Sequence, residues 1–395
     1  MENILIINSG SSSLKFQLIQ IPNEVTLASG MVERIGLDHA RLHYKAEKVN
    51  LSEDIEAENH TLALKAITNL LMDKEKGVIK DVSDIAAIGH RVVHGGDAFT
   101  DTVVIDEQVK LKIKDFFPLA PLHNPANLEG IEVAEKIFPQ AKQIAVFDTA
   151  FHSTIPRKAA QYAIPNEFFE KHHIQVFGFH GTSHKYVTAL AAKHLKEKHA
   201  KLISVHLGNG CSITAVQNGK SIDHSLGFTP LNGLIMGTRS GDIDQSVIFY
   251  MVDKLGYSLE EVSHLLHKES GMLGLTGYSD LREIEKEAKN GNRQCKLALE
   301  MNAYRIKKYI GAYIAAMNGV DAIIFTAGIG ENSDVIRSLT CKEMDFFGIK
   351  LDEEKNKERS KELRFINKEE ARVKIMVVPT NEEIEIAQQT YNLVF

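Results

Sequence analysis

Two arginines and a histidine stand in glycine-flanked segments of this 395-residue sequence. Arg91 lies in His-Arg-Val-Val-His-Gly-Gly (90–96), Arg239 in Gly-Thr-Arg-Ser-Gly-Asp (237–242) and His180 in Gly-Phe-His-Gly-Thr-Ser-His (178–184). The forked donors of arginine suit planar anions and phosphates. Each segment alone reads equally as a structural ion pair; together they point to an anion site. Two turns rich in Gly, Ser and Asn each join a pair of apolar runs: Asn-Ser-Gly-Ser-Ser-Ser-Leu-Lys (8–15) and His-Leu-Gly-Asn-Gly (206–210). Such turns offer backbone N–H groups to phosphate oxygens with no Cβ in the way. Ser11 and Ser13 add hydroxyls, and Lys15 adds a cation. A polar hairpin explains either turn singly, but two in equivalent places favour phosphate binding.

Other groups remain open between capping and chemistry. Asp148 ends the apolar run Ile144–Phe147, either as an Asx-turn or as a carboxylate at the strand edge where α/β sites gather. Gly-Ile-Gly-Glu-Asn (328–332) follows an apolar strand and opens a helix, as a ligand-facing turn or as a tight connection capped by Asn332 or Ser333. Asp280 and Glu283 read as helix caps or as part of a site. In Pro-Thr-Asn-Glu-Glu (379–383), Thr380 and Glu383 fit a capping box. Glu382 is left without a local duty and is suited to hold Mg²⁺ through water. The familiar nucleotide motifs fail: Gly219-Lys220-Ser221 has a P-loop tail, but Thr214 occupies the place of the first glycine. Neither Gly208-Asn-Gly210 nor Gly328-Ile-Gly330 completes a dinucleotide fingerprint.

Positioning such groups falls to an α/β chain. Expected strands are 4–8, 14–19, 85–90, 143–147, 202–207, 212–216, 321–326 and 373–378, alternating with helices over 60–72, 127–138, 183–199, 243–255, 293–317 and 382–391. In the long helix, Leu299, Ile306, Ile310, Tyr313 and Met317 make one apolar stripe, for core or dimer contact. The charged run 352–364 reads as a solvated helix. The similar strand–turn–strand openings near residues 4 and 202 suggest duplication. Two domains are then expected, 1–150 and 151–381, with the helix at 382–395 packing back on the first. Composition is that of a folded soluble protein, 44% hydrophobic and 25% charged, and a net charge of −6 argues against a nucleic-acid surface. Three dispersed cysteines fit no disulfide framework or zinc site. No apolar run has membrane length, and no leader opens the chain; a cytoplasmic location is expected.

Taken in order, these motifs, with Phe-Asp-Thr-Ala-Phe-His at 147–152, resemble the acetate kinase family, within the superfamily of acetate and sugar kinases, heat-shock chaperones and actin. The resemblance implies two duplicated actin-like (ribonuclease H-like) domains with an active-site cleft between them. It implies reversible γ-phosphoryl transfer from ATP to acetate, giving acetyl phosphate and ADP. Asn8 and Glu382 would hold Mg²⁺, for which Mn²⁺ can substitute. Ser11, Ser13, Lys15 and His206, Leu207, Gly208, Asn209 and Gly210 would meet phosphates. Asp280, Leu281, Arg282 and Gly328, Ile329, Gly330, Glu331, Asn332 would surround the adenosine. Arg91 would bind the acyl substrate, beside Val93, Leu122, His123, Phe179 and Pro230. Asp148, His180 and Arg239 would act with Arg91 in catalysis, in a homodimer. A carboxylate titrating near pH ~4 needs no general base, so Asp148 is read as an orienter of Mg²⁺ or its waters. Propionate or butyrate kinase is the alternative, since one methylene is worth only about 1–3 kcal/mol. An ATP-switched, non-enzymatic relative of chaperones and actin is a further one.

Overall fold

The computed structural model describes residues 1–395. They form two compact units, one of Met1–Phe151 with Asn381–Phe395, the other of His152–Thr380. The first unit holds β1 (Glu2–Gly10), β2 (Ser13–Ile21), β3 (Val25–Glu33), β4 (Ala40–Ala46), β5 (Val49–Ile55), β6 (Ile85–Val92), β7 (Val103–Val104) and β8 (Lys142–Phe147). They lie in the order β5-β4-β3-β2-β1-β6-β8-β7. The second holds β9 (Lys201–Leu207), β10 (Cys211–Gln217), β11 (Lys220–His224), β12 (Ala322–Thr326), β13 (Arg364–Phe365) and β14 (Lys374–Val377), ordered β11-β10-β9-β12-β14-β13.

The duplication is visible in the pairing. In the first unit β1, β2 and β3 run antiparallel in sequence, and β6 and β8 add in parallel on the other side of β1. In the second, β9, β10 and β11 repeat the meander, and β12 and β14 repeat the parallel additions. The fold is α/β with two copies of one five-strand pattern.

Alternation along β1 explains its apolar run. Ile4 and Ile6 join Ile386 and Ala387 of the helix Glu382–Val394, whereas Leu5 and Ile7 join Ala63, Leu64 and Ile67 of the helix His60–Leu71. The strand is buried on both faces. Gly89 of β6 lets the helix Glu382–Val394 approach: a Cβ there would lie 2.6 Å from Thr390 Oγ1 and 2.7 Å from Ile386 Cγ2. In the second unit the stripe Leu299, Ile306, Ile310, Tyr313, Met317 is buried, so it is core. No helix is long and apolar enough to cross a membrane.

The expected helix over 352–364 shrinks to Glu353–Lys357. Its one buried residue, Asn356, is tied by side chain and carbonyl to the buried Arg337. Beyond it the chain has no apolar stripe to bury, and Arg364–Phe365 pairs with β14 instead.

Candidate active site

Chemistry-bearing residues gather in each unit. In the first, Gly10 pairs with Ser13 across the β1–β2 hairpin, leaving Ser11 and Ser12 as a two-residue turn. Asn8 faces Lys15 across the same ladder. Lys15 reaches Glu383, the first-turn glutamate of the helix Glu382–Val394. The cap of that helix is therefore not the expected box: Asn381 Oδ1 accepts from Ile384 N at 3.1 Å, and Glu383 serves Lys15. Thr380 belongs to the second unit, where its N–H donates to Glu331 Oε1 and its hydroxyl meets Ser183.

Arg91 and Asp148 emerge side by side because β6 and β8 are parallel neighbours and Asp148 N donates to Val92 O. Nε and Nη2 of Arg91 both donate to Asp148 Oδ2, at 2.9 and 2.6 Å. Asp148 is 2% exposed. At this strand edge its carboxylate orients the guanidinium. Burial opposes the charge of Arg91, but Asp148 and then Glu382 override it and raise its pKa. The carboxyl of Glu382 is shifted upward. Burial raises its pKa; Arg91 pulls it back, and the charges of Asp148 and Glu383 push it up again.

Two unforeseen residues position this cluster. Asn127 accepts from Val93 N and donates to Ser9 O, and Asn124 bonds both His94 N and His94 O. They belong to the first turn of a helix that starts at Asn124, three residues earlier than expected. The signal was present as two asparagines one turn apart. Leu122 and His123 precede this helix and are exposed, and Val93 is partly buried.

In the second unit, β9 and β10 pair Leu207 with Cys211, leaving Gly208–Gly210 as the turn, closed by Gly208 N to Gly210 O. His180 precedes the helix Gly181–Leu195 with φ +56°, a left-handed conformation costly for a side-chain-bearing residue. The surroundings enforce it. The carbonyl of the buried Phe179 accepts from Nε2 of both His152 (3.0 Å) and His224 (2.9 Å). Burial holds both imidazoles far below their ordinary pKa, His224 at about 3, so both stay neutral donors. The His180 ring stacks on His206 at 4.4 Å and 17°.

Arg239 sits in a loop clamped by the long helix Arg293–Met317. Asp242 accepts from Gly233 N (2.7 Å) and Tyr309 OH (2.7 Å), and Arg305 Nη1 donates to Gly233 O at 2.8 Å. Nη1 of Arg239 donates to Pro230 O at 2.5 Å. Its other terminal nitrogen and His180 converge on the β9–β10 turn: a Cβ on Gly210 would lie 2.7 Å from Arg239 Nη2 and 3.3 Å from His180 Nε2. Gly210→Ala should therefore leave folding almost intact, because a flexible guanidinium can move aside. If Arg239 and His180 act in catalysis, it should cut turnover by about 10–100-fold, the scale of an ångström misplacement. Steady-state kinetics beside a thermal melt would check this.

The same turn opens into a cavity of about 780 Å³ within the second unit. Leu207, Gly208 and Asn209 line it, together with Asp280, Leu281, Arg282, Gly328, Ile329 and Asn332. Asp280 caps the helix Leu281–Lys289 and also takes a forked contact from Arg282, which holds its pKa at about 2. Both readings of Asp280 thus hold at once. Ser333 caps the following helix, accepting from Ile336 N, while Ala327–Asn332 forms a short helix of its own. Gly330, Glu331, His206 and Gly210 are not among the lining residues. Gly330 O instead accepts from Arg337. Ile235, Met236, Met272, Asn302 and Arg359 also line it and were not foreseen, being ordinary helix and loop residues in the sequence. Apolar walls with a few polar groups suit a planar base.

No group of three or more His, Cys, Asp or Glu side chains forms a ready-made metal site. The donor set nevertheless fits Mg²⁺, which keeps several waters and takes one or two carboxylates plus phosphates. Around the half-buried Glu382 stand Arg91, Asp148, Glu383 and Lys15, a set of carboxylates and cations close enough to act on its charge.

A family model described as the acetokinase family matches residues 3–388. An acetate kinase of Flavobacterium johnsoniae is 60% identical over 390 residues, covering 99% of each chain. The solved acetate kinase of Porphyromonas gingivalis has a TM-score of 0.96 to this structure at 44% identity, with 100% of both chains covered. A propionate kinase from Francisella tularensis gives 0.93 at 45% identity, covering 99% of this chain and 100% of its own. On this evidence the chain belongs to the acetokinase family.

Proposed function

We propose that the protein catalyses the reversible transfer of the γ-phosphoryl group of ATP to acetate, giving acetyl phosphate and ADP. The observation that carries this reading is the convergence of Arg239 and His180 on the Gly210 turn, at the mouth of a nucleoside-sized cavity. A chaperone-like or filament switch has no use for that arrangement, and close relatives are enzymes.

The acceptor carboxylate is already an anion at neutral pH, so no proton need be removed from it. The obstacle is repulsion between acetate and the triphosphate. Arg239 and His180 supply donors to the transferring group, where charge spreads in the transition state. Arg91, set by Asp148, binds the acyl anion. Lys15 and the serines of the first turn, with His206–Gly210, are assigned to phosphate oxygens; Asp280–Arg282 and Gly328–Asn332 are assigned to the adenosine. Asn8 and Glu382 would hold Mg²⁺, which supplies neutralisation of phosphate charge. Val93, Leu122, Phe179 and Pro230 are assigned to the substrate methyl. A homodimer would cover the exposed Phe249 and Tyr250 of the helix Gln245–Leu255. ATP chemistry and three free, buried cysteines accord with the cytoplasm.

Propionate is the second acceptor, supported by the similar propionate kinase structure. Trapping acyl phosphate with hydroxylamine, with ATP–Mg²⁺ and acetate, propionate or butyrate, tests both readings. The expected order of kcat/KM is acetate, propionate, butyrate, with steps of about 1–3 kcal/mol per methylene. Product from none of the three would refute the proposal.

A further inference from the structure

The face of β9 and β10 that packs against the helix Gly181–Leu195 carries polar side chains where apolar ones would be usual. Ser204, His206, Ser212 and Thr214 are all buried there, at 0%, 7%, 0% and 0% exposure. His184, also fully buried, rises from the helix between them. Its Nδ1 lies 2.8 Å from Ser204 Oγ and its Nε2 2.7 Å from Ser212 Oγ. Ser212 Oγ in turn lies 2.9 Å from His180 Nδ1. These contacts form one unbranched chain: Ser204, His184, Ser212, His180.

The chain has a direction. A serine hydroxyl has one proton to donate. If Ser204 donates to His184 Nδ1, then His184 carries its proton on Nε2 and donates to Ser212. Ser212 is left to donate to His180 Nδ1, and every member is satisfied. In the opposite direction the Ser204 proton has no acceptor, because Ser204 Oγ meets only His184. Leaving a buried donor unsatisfied costs about 1–3 kcal/mol. Protonating His180 Nδ1 would force that reversal. His184 cannot escape by ionising, since burial and then the neighbouring His224, His152, His206 and His180 hold its pKa far below the ordinary value.

We propose that Ser204, His184 and Ser212 are positioning residues that lock His180 as the Nε2–H tautomer, a neutral donor aimed at the β9–β10 turn. The proposal rests on the phosphoryl-transfer reading for its purpose, though not for its geometry. Nε2 is the nitrogen that faces Gly210. A fixed donor needs no reorientation as phosphoryl charge develops.

The test uses the whole protein labelled with ¹⁵N-histidine. Long-range ¹H–¹⁵N spectra, assigned by the signal lost in His180→Gln, should show His180 protonated at Nε2 and bare at Nδ1 across pH 6–8. A protonated Nδ1 overturns the proposal whatever the activity. Absence of acyl phosphate formation with the tautomer as expected would instead sink the functional reading alone. Ser212→Ala should lower kcat about 10–100-fold with KM values changed less than about 3-fold, on the scale of positioning losses. It should also add an acidic limb to the pH–rate profile. Ser212→Thr, which keeps the hydroxyl, should restore the flat profile. Ser204→Ala removes only the directionality and should give mixed His180 tautomers in the spectra; a single unchanged tautomer there overturns the relay.

Discussion

Replacing Arg239 with leucine is expected to lower kcat about 10³-fold while the KM for ATP changes only a few-fold. Removing one preorganised donor from a transition-state oxyanion costs about 10²–10³, and arginine at a transferring phosphoryl group reaches the upper end. KM is spared because Arg239 is not among the residues lining the cavity assigned to the adenosine. Stability should move little. The leucine loses one hydrogen bond to Pro230 O, worth about 0.5–1.5 kcal/mol. It also removes a cation whose charge burial disfavours. The Asp242 clamp on the loop, through Gly233 and Tyr309, remains intact. Arg239→Lys should recover only part of the rate, since an ammonium lacks the planar fork. A leucine variant within tenfold of the wild-type kcat would remove Arg239 from the mechanism.

Glu382→Gln should move activity and stability in opposite directions. Turnover with Mg²⁺ is expected to fall by about 10²-fold or more, because the amide donates no charge to a hard cation. The metal-free protein should nevertheless become more stable above pH ~5. The folded-state pKa of Glu382 is raised, so the native state binds its proton more tightly than the unfolded chain. Stability then falls as pH rises from the unfolded carboxylate value, near about 4.3, through the folded one, and stays lowered above it. Glutamine does not titrate and escapes that loss. Thermal melts in chelator from pH 4 to 8 should show the variant's advantage opening across this interval and then levelling. A variant less stable than wild type at pH 8 would show that the glutamate charge is already well compensated without metal.

What could be read from the chain was local. Ile4–Ile7, Leu202–Leu207 and Ala322–Thr326 announce themselves as buried strands, and the glycine-rich turns name themselves by composition. The contacts that make a site are long-range and do not. Lys15 meets Glu383 across most of the sequence, and Arg91 meets Asp148 only because two strands are parallel neighbours. The capping box at Thr380 failed for a related reason. Thr380 and Asn381 are both good caps, and the choice went to Asn381 once Glu383 was drawn to Lys15. Ser204 and Ser212 looked like strand interior because their shared partner, His184, comes from a helix. Strands β3 to β5 were missed where polar or small residues break the apolar pattern, as in Thr26, Ser29 and Gly30.

The helix Glu382–Val394 also bears on how the protein is made. It covers one face of the first sheet and carries Glu382, yet the whole second unit precedes it in the chain. During synthesis at ~5–20 residues per second, more than two hundred residues must emerge before that face can close. For tens of seconds the nascent first unit has Ile4, Ile6, Ile19 and Ile21 without the cover of this helix. A chain that stops before residue 382 would lack both the cover of this apolar face and the carboxylate of Glu382.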